Sequence, residues 1–302
     1  MFSYSAYGLY IQSALQLPEL LPVVDEAAEV GTVDVEIRYG VVPVSIPSPV
    51  SEGMRHQASP GCFLLTVDQV ARYYVSNGRE ICIEPISNAI ESDIRVFLLE
   101  SVFAALLHQR KILPLHASGV VIDGNAVLFC GGSAVGKSTL AAAFFRNGFP
   151  ILADQFCAVQ IDSSGRPVVI PGFPRLLLWA DAIGRLGMNR FKSSPIRSGI
   201  LKYGLDVRET FAKKLVPVGR FFFVETGISS FSEFSIISGS EGLEALIQST
   251  YCFRFLNGLG GKSEHFRNCL QIAKTVPLAV FKKGGDPFSC MRDILKFVRE
   301  EC

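Results

Sequence analysis

From Gly131 to Ser138 the chain reads Gly-Gly-Ser-Ala-Val-Gly-Lys-Ser, a complete G-x-x-x-x-G-K-[ST] run. Such a run constrains its surroundings, because its chemistry needs a buried strand before it and the first turn of a helix after it. Both flanks are present. Asn125-Ala126-Val127-Leu128-Phe129-Cys130 is a short apolar run with strand character, and Thr139-Leu140-Ala141-Ala142-Ala143-Phe144-Phe145 is a good helix former. The glycines let backbone N–H groups turn inward and wrap a polyphosphate at the positive end of the helix. Gly131, Gly132, Ser133, Ala134, Val135, Gly136, Lys137, Ser138 and Thr139 are therefore the expected nucleotide cradle. Lys137 is expected to reach the β- and γ-phosphates, and the Ser138 hydroxyl to ligate Mg²⁺.

Composition excludes several classes. A chain of 302 residues with 49% hydrophobic and 19% charged residues has room for one large or two smaller domains with real cores. A formal net charge of +1 gives no electrostatic case for nucleic acid or an anionic membrane. No apolar run approaches the ~20 residues that span a bilayer; the stretch from Ile94 to Leu107 is broken by Arg95 and Glu100. The start, Met1-Phe2-Ser3-Tyr4, lacks the basic-then-apolar pattern of a signal peptide. The eight cysteines are scattered singly, without a C-x-x-C pair, and read as reduced small hydrophobes of a cytoplasmic protein.

Residues 1–90 alternate in a strand-like way and form one expected domain, rich in strands; residues 91–302 form the second. In the first, Ser3–Ile11, Val33–Arg38, Gly61–Val67, Ala71–Val75 and Glu80–Glu84 have strand character, and Asn77-Gly78 signals a hairpin. The Pro- and Ser-rich stretch 44–60 reads as a long loop. A helix from a Ser92 N-cap to about Gln109 opens the second part. Strands at Ala117–Ile122, Ala126–Cys130, Ile151–Ala153, Phe156–Ile161, Val168–Ile170 and Arg220–Glu225 follow. A short helix near Ala180–Leu186, an irregular basic stretch from Arg190 to Lys214, and helices at about 240–256 and 286–301 complete the expected order. Gly260-Gly261-Lys262-Ser263 mimics the phosphate loop, but Leu256 stands where its first glycine would be and no strand precedes it, so it reads as a loop between helices.

Two segments flanking the phosphate loop carry a resemblance. Leu113-Pro114-Leu115-His116-Ala117-Ser118-Gly119-Val120 lies just upstream, and Asn147-Gly148-Phe149-Pro150-Ile151-Leu152-Ala153-Asp154-Gln155 follows the helix. Together they resemble the C-terminal kinase domain of HPr kinase/phosphorylase, in which a His-bearing strand precedes the loop and Ala-Asp-Asp ends the next strand. The interval of 17 residues from Lys137 to Asp154 fits that arrangement better than ordinary nucleotide hydrolases. Pro171-Gly172-Phe173-Pro174-Arg175 with Leu178-Trp179, Tyr7-Gly8-Leu9 and Leu17-Pro18-Glu19-Leu20 are similar to a stand-alone branch that phosphorylates a serine of lasso or other modified precursor peptides. The resemblance implies an α/β fold, with a P-loop kinase core of the HPr-kinase and PEP-carboxykinase type and a smaller strand-rich N-terminal domain. It implies an ATP- and Mg²⁺-dependent serine kinase whose partner is a peptide or small protein, and it is compatible with a homo-oligomer. The family's second Asp is Gln155 here, which can neither take a proton nor lend charge to a metal.

Phosphoryl transfer asks for cations, a metal carboxylate and a group that orients the acceptor. Lys137 supplies the first. Asp154 is the candidate for the second, with Ser138 as fellow metal ligand, and a candidate base for the acceptor hydroxyl. His116 is a candidate proton relay or phosphoryl donor, or else a satisfied core histidine. Arg175 follows a Gly-Phe-Pro turn and is a candidate phosphate clamp, or a plain surface ion pair. Arg197, Lys202 and Arg208 suggest a basic lid, or a solvated face. Two alternatives stay beside the peptide kinase: a kinase for a small-molecule hydroxyl, and a weakly catalytic, nucleotide-dependent peptide-binding or regulatory protein.

Overall fold

The computed structural model describes residues 1–23, 32–188, 193–197, 199–227 and 229–300. The chain is a mixed α/β protein with several sheets, divided into two compact units. The first comprises Met1–Pro114, Ile196–Gly199 and Tyr251–Phe266; the second comprises Leu115–Pro195, Ile200–Thr250 and Arg267–Cys302. The helical segment following residue 90, assigned on sequence to the larger domain, thus belongs to the first unit.

In the first unit one sheet runs in the spatial order Leu21–Pro22, Phe2–Ala6, Leu9–Ser13, Val35–Tyr39, Glu80–Pro85, Ala71–Ser76, Cys62–Val67, His56–Ser59, Ser51–Glu52. Two expectations are corrected here. Ser3–Ile11 is not one strand: Tyr7 and Gly8 take φ of 53° and 67° and fold it into a hairpin, in which Ala6 faces Leu9. The 44–60 stretch is not all loop, since Ser51–Glu52 and His56–Ser59 extend the sheet edge. The Asn77-Gly78 hairpin is present: both residues take positive φ at the centre of a turn closed by Arg79 N–H to Ser76 O at 2.9 Å, and Ser76 stands opposite Glu80 across a three-residue connection.

The helix after this sheet starts at Glu91, with Ile90 rather than Ser92 at its cap and no side chain capping it. It runs as Glu91–Phe97, one π-helical turn at Leu98–Val102, and Phe103–Gln109. Its apolar faces explain its place: Leu98, Leu99, Val102, Phe103 and Leu106 are all fully buried. The Tyr73 hydroxyl donates to Ile94 O at 3.0 Å and ties the helix to the sheet.

The second unit is built on a sheet whose centre is parallel. The loop strand Asn125–Cys130 pairs in parallel with Val216–Thr226, which pairs in parallel with Leu278–Lys283. On the other side of the loop strand lie antiparallel Ala117–Ile122 and then Ile151–Ala153, again antiparallel to its neighbour. The loop strand, Val216–Thr226, Leu278–Lys283 and Ile151–Ala153 therefore all point the same way and end on one edge of the sheet. Ligands of open α/β sheets bind outside that carboxyl edge. The loop helix, Lys137–Arg146, leaves from it. Leu140 through Phe144 are buried on every side of it, and the Phe144 ring stacks 5.6 Å from that of Phe129 on the loop strand.

The basic 190–214 stretch is not irregular throughout. Lys202–Asp206 pairs with Arg175–Trp179 on one side and Ser193–Pro195 on the other, forming a small antiparallel sheet. Residues 190–192 and 198 of that stretch lie outside the described residues. The helix expected at 240–256 ends at Gln248, and a helix not anticipated on sequence spans Lys262–Thr275. The last helix, Pro287–Glu300, lies where it was expected. Among the described residues no helix is long and apolar enough to cross a membrane.

Candidate active site

The turn between Cys130 and Lys137 depends on its first and last glycines. Gly131 has φ of 144°, and a Cβ there would lie 2.8 Å from Val224 O on the neighbouring strand. Gly136 has φ of 99° and is the residue from which the helix starts. Ala134 also sits at positive φ, at 64°. Gly132, Ser133 and Ala134 form an exposed crest. Val135 packs beneath it, its Cγ1 3.2 Å from where a Gly131 Cβ would be. No side chain caps the loop helix, so the first N–H groups of Lys137, Ser138 and Thr139 are left facing the loop, as an anion site requires.

Lys137 is buried, and its ammonium is turned back onto its own loop. Nζ donates to Gly131 O and to Gly132 O, both at 2.8 Å. His116 Nε2 lies 3.3 Å from the same ammonium. An ammonium can only donate, so Nε2 is the acceptor and the imidazole carries its proton on Nδ1. Burial, assisted by the Lys137 charge, pushes His116 down to about 4, against the opposing pull of Asp154. His116 is neutral at pH 7. Burial likewise lowers Lys137, again with Asp154 opposing.

Asp154 follows the strand Ile151–Ala153 and is 5% exposed. Its Oδ1 accepts from Ser118 Oγ at 2.5 Å and from Ser138 Oγ at 2.8 Å; its Oδ2 accepts from Leu177 N at 2.7 Å. Three separate elements thus fix one carboxylate: the strand Ala117–Ile122, the first turn of the loop helix, and the strand Arg175–Trp179. Ser138 Oγ and Asp154 Oδ1 are hard oxygen donors already in contact, and Mg²⁺ is typically held by one or two such protein groups together with phosphate and water. The donor set therefore fits Mg²⁺, with Ser138 and Asp154 as the residues that would hold it.

The remaining sequence candidates are dispersed. Gln155, at φ of 70°, accepts from Lys202 Nζ at 3.3 Å, so Lys202 is the member of the basic stretch brought to the site. Lys202 also lies over the Trp179 ring. Arg208 is ion-paired with Asp206 on the surface, and Arg197 pairs with Asp93 within the first unit, at 3.6 Å. A basic lid of all three is thus not assembled. Arg175 stacks on the Phe173 ring, 5.4 Å to its centroid. Two residues without any sequence signal enter the site: Ser118, and Lys283, whose Nζ lies 2.8 Å from where a Gly136 Cβ would be. A cleft of about 470 Å³ opens beside His116, Gly131 and Gly132, walled by the end of the Val216–Thr226 strand and by the helix Gly239–Gln248.

No family model and no curated protein matches the sequence. Among solved structures, the chain is distantly similar to the Hpr(Ser) kinase/phosphatase from Coxiella burnetii, with a TM-score of 0.34 and 14% identity. That match covers 62% of this chain and 89% of the other.

Proposed function

We propose that this protein is an ATP- and Mg²⁺-dependent phosphotransferase that moves the γ-phosphate onto a hydroxyl, with a serine of a peptide or small protein as acceptor. The observation that carries the reading is the contact between Asp154 Oδ1 and Ser138 Oγ at 2.8 Å, in the first turn of a helix that starts from a glycine loop with a buried lysine. Metal-binding oxygens, a cation and unused N–H donors meet at one sheet edge, which is the set phosphoryl transfer asks for.

In this reading the loop amides and Lys137 hold the phosphates, and Ser138 and Asp154 hold the metal, which neutralises charge on the phosphoryl oxygens when bound. Lys137 must leave the Gly131 and Gly132 carbonyls to do so, and His116, neutral, is the remaining polar partner that steers its ammonium. The cleft beside Gly131 and His116 admits the acceptor. Its oxygen attacks the γ-phosphorus, the bond from that phosphorus to the bridging oxygen of ADP breaks, and the acceptor proton passes to Asp154 or to solvent. The test is incubation of purified protein with γ-labelled ATP, Mg²⁺ and serine-containing peptides, compared with Lys137→Ala and Asp154→Asn. Label transfer that both substitutions abolish is the expected result; nucleotide binding without transfer to any peptide or metabolite hydroxyl would overturn it.

A second reading has one observation in its favour. The Gln155 amide oxygen is occupied by Lys202 and bears no charge, which suits a nucleotide-dependent peptide-binding protein that does not turn over. If Gln155→Asp raises transfer from near zero by orders of magnitude, this second reading wins.

A further inference from the structure

The mechanism so far leaves one buried-edge cation without work. Lys283 is the last residue of the strand Leu278–Lys283, parallel to Val216–Thr226 and so on the same carboxyl edge as the phosphate loop. Its half-buried side chain reaches Gly136, the glycine from which the loop helix starts. A helix N-terminus carries partial positive charge and repels a cation. Burial lowers the Lys283 titration, and Arg185 adds further like charge.

Among the described residues no carboxylate pairs with Lys283, although Arg185 is itself ion-paired with Asp181. Glu225 and Glu233 stand across the sheet from Lys282, whose side chain lies on the opposite face, while Lys283 stands beside Thr226. The one group pulling the other way, Cys290, is a thiol that burial pushes up, so it is uncharged at neutral pH. Among the described residues the Lys283 ammonium has no hydrogen bond or ion pair. A cation desolvated against the positive end of a helix is disfavoured by folding alone; an anion at that spot reverses the sign.

We propose that Lys283 is a second binding cation of the loop, holding the α- and β-phosphates at its helix end while Lys137 serves its strand end. The inference rests on the nucleotide reading above and extends it, since the loop amides around Gly136 and Lys137 are those that cradle the α- and β-phosphates. Lys283 touches the diphosphate, so ADP and ATP feel it alike.

The experiment is calorimetry of MgADP and MgATP with wild type, Lys283→Gln and Lys283→Arg, together with melting of each protein with and without nucleotide. Loss of one charge-assisted contact predicts affinity for both nucleotides down roughly tenfold to a hundredfold in Lys283→Gln. Lys283→Arg should recover most of it. Without nucleotide, Lys283→Gln should melt at the same temperature as wild type or higher, because a repelled cation is gone. Wild type that binds while Lys283→Gln binds equally well overturns the role of Lys283 and leaves the nucleotide reading standing; a Lys283→Gln protein that melts lower without nucleotide, or Lys283→Arg that fails to recover affinity, also overturns it. Wild type that binds neither nucleotide sinks the underlying reading itself.

Discussion

At the scale of single residues, Asp154 is the group on which the site converges, and the carboxylate and one of its three donors make separate predictions. Asp154→Asn removes the negative charge that a magnesium would need while keeping the size of the side chain. Transfer should fall by about 10²-fold or more, and Mg²⁺ should cease to strengthen nucleotide binding when titrated calorimetrically. Ser118→Ala deletes one of three hydrogen bonds to the same carboxylate and leaves Ser138 Oγ and Leu177 N in place. Its effect should be smaller, about tenfold in turnover, with Mg²⁺ dependence intact. Equal losses in the two variants would show that Ser118 acts in its own right. Lys137, Ser138 and Asp154 were legible from spacing and resemblance. Ser118 was not, because a serine inside a strand carries no signal of the carboxylate that folding brings to it at the end of the neighbouring strand, Ile151–Ala153.

At the scale of elements, the phosphate loop separates glycines that backbone geometry requires from one it does not. A Cβ at Gly131 would press on Val224 O at 2.8 Å, at a φ of 144° that side chains avoid. A Cβ at Gly132 would meet nothing within 4 Å. Gly131→Ala should therefore destabilise the protein by about 1–3 kcal/mol, and Gly132→Ala should be nearly silent in thermal or denaturant unfolding. A stable Gly131→Ala protein would mean that the loop is not held as described. The strand, loop and helix around these glycines were readable from local pattern, as was the Asn77-Gly78 hairpin, because each signal lies within a few residues of its consequence. The Tyr7-Gly8 turn was missed, since a tyrosine at positive φ is no turn signal; it is kept there by burial of its ring beside Phe103, 6.3 Å between centroids. The strand Leu278–Lys283 announced itself only by a short apolar run after Pro277, and its placement beside the loop comes from sheet pairing across the whole unit. That is why Lys283 could not be foreseen.

At the scale of the whole molecule, buried histidines make stability depend on pH. His108 is 5% exposed, its Nε2–H donates to Tyr251 O at 2.9 Å, and burial pushes it down to about 4. His116 is depressed to a similar degree, and burial also lowers His56 and His265. These imidazoles are neutral in the fold but take a proton in the unfolded chain below about 6.5. The unfolded state then binds more protons, so their contribution is complete above about pH 6.5 and declines below it, for His108 and His116 until pH reaches about 4. For His108 alone the loss is at most roughly 3 kcal/mol. Denaturant unfolding at pH 7 and pH 5 should show wild type losing more stability between the two than His108→Gln does; equal losses would contradict a neutral buried His108.

The posture of Lys137 has a kinetic corollary. With its ammonium spent on the Gly131 and Gly132 oxygens, the resting cradle carries its own stopper, and under the proposed nucleotide reading an arriving triphosphate has to wait for that stopper to lift. Mixing experiments should then show an association rate that climbs with ATP and levels off at a ceiling set by the protein, whereas a rate rising without limit would mean the cradle stands open from the start.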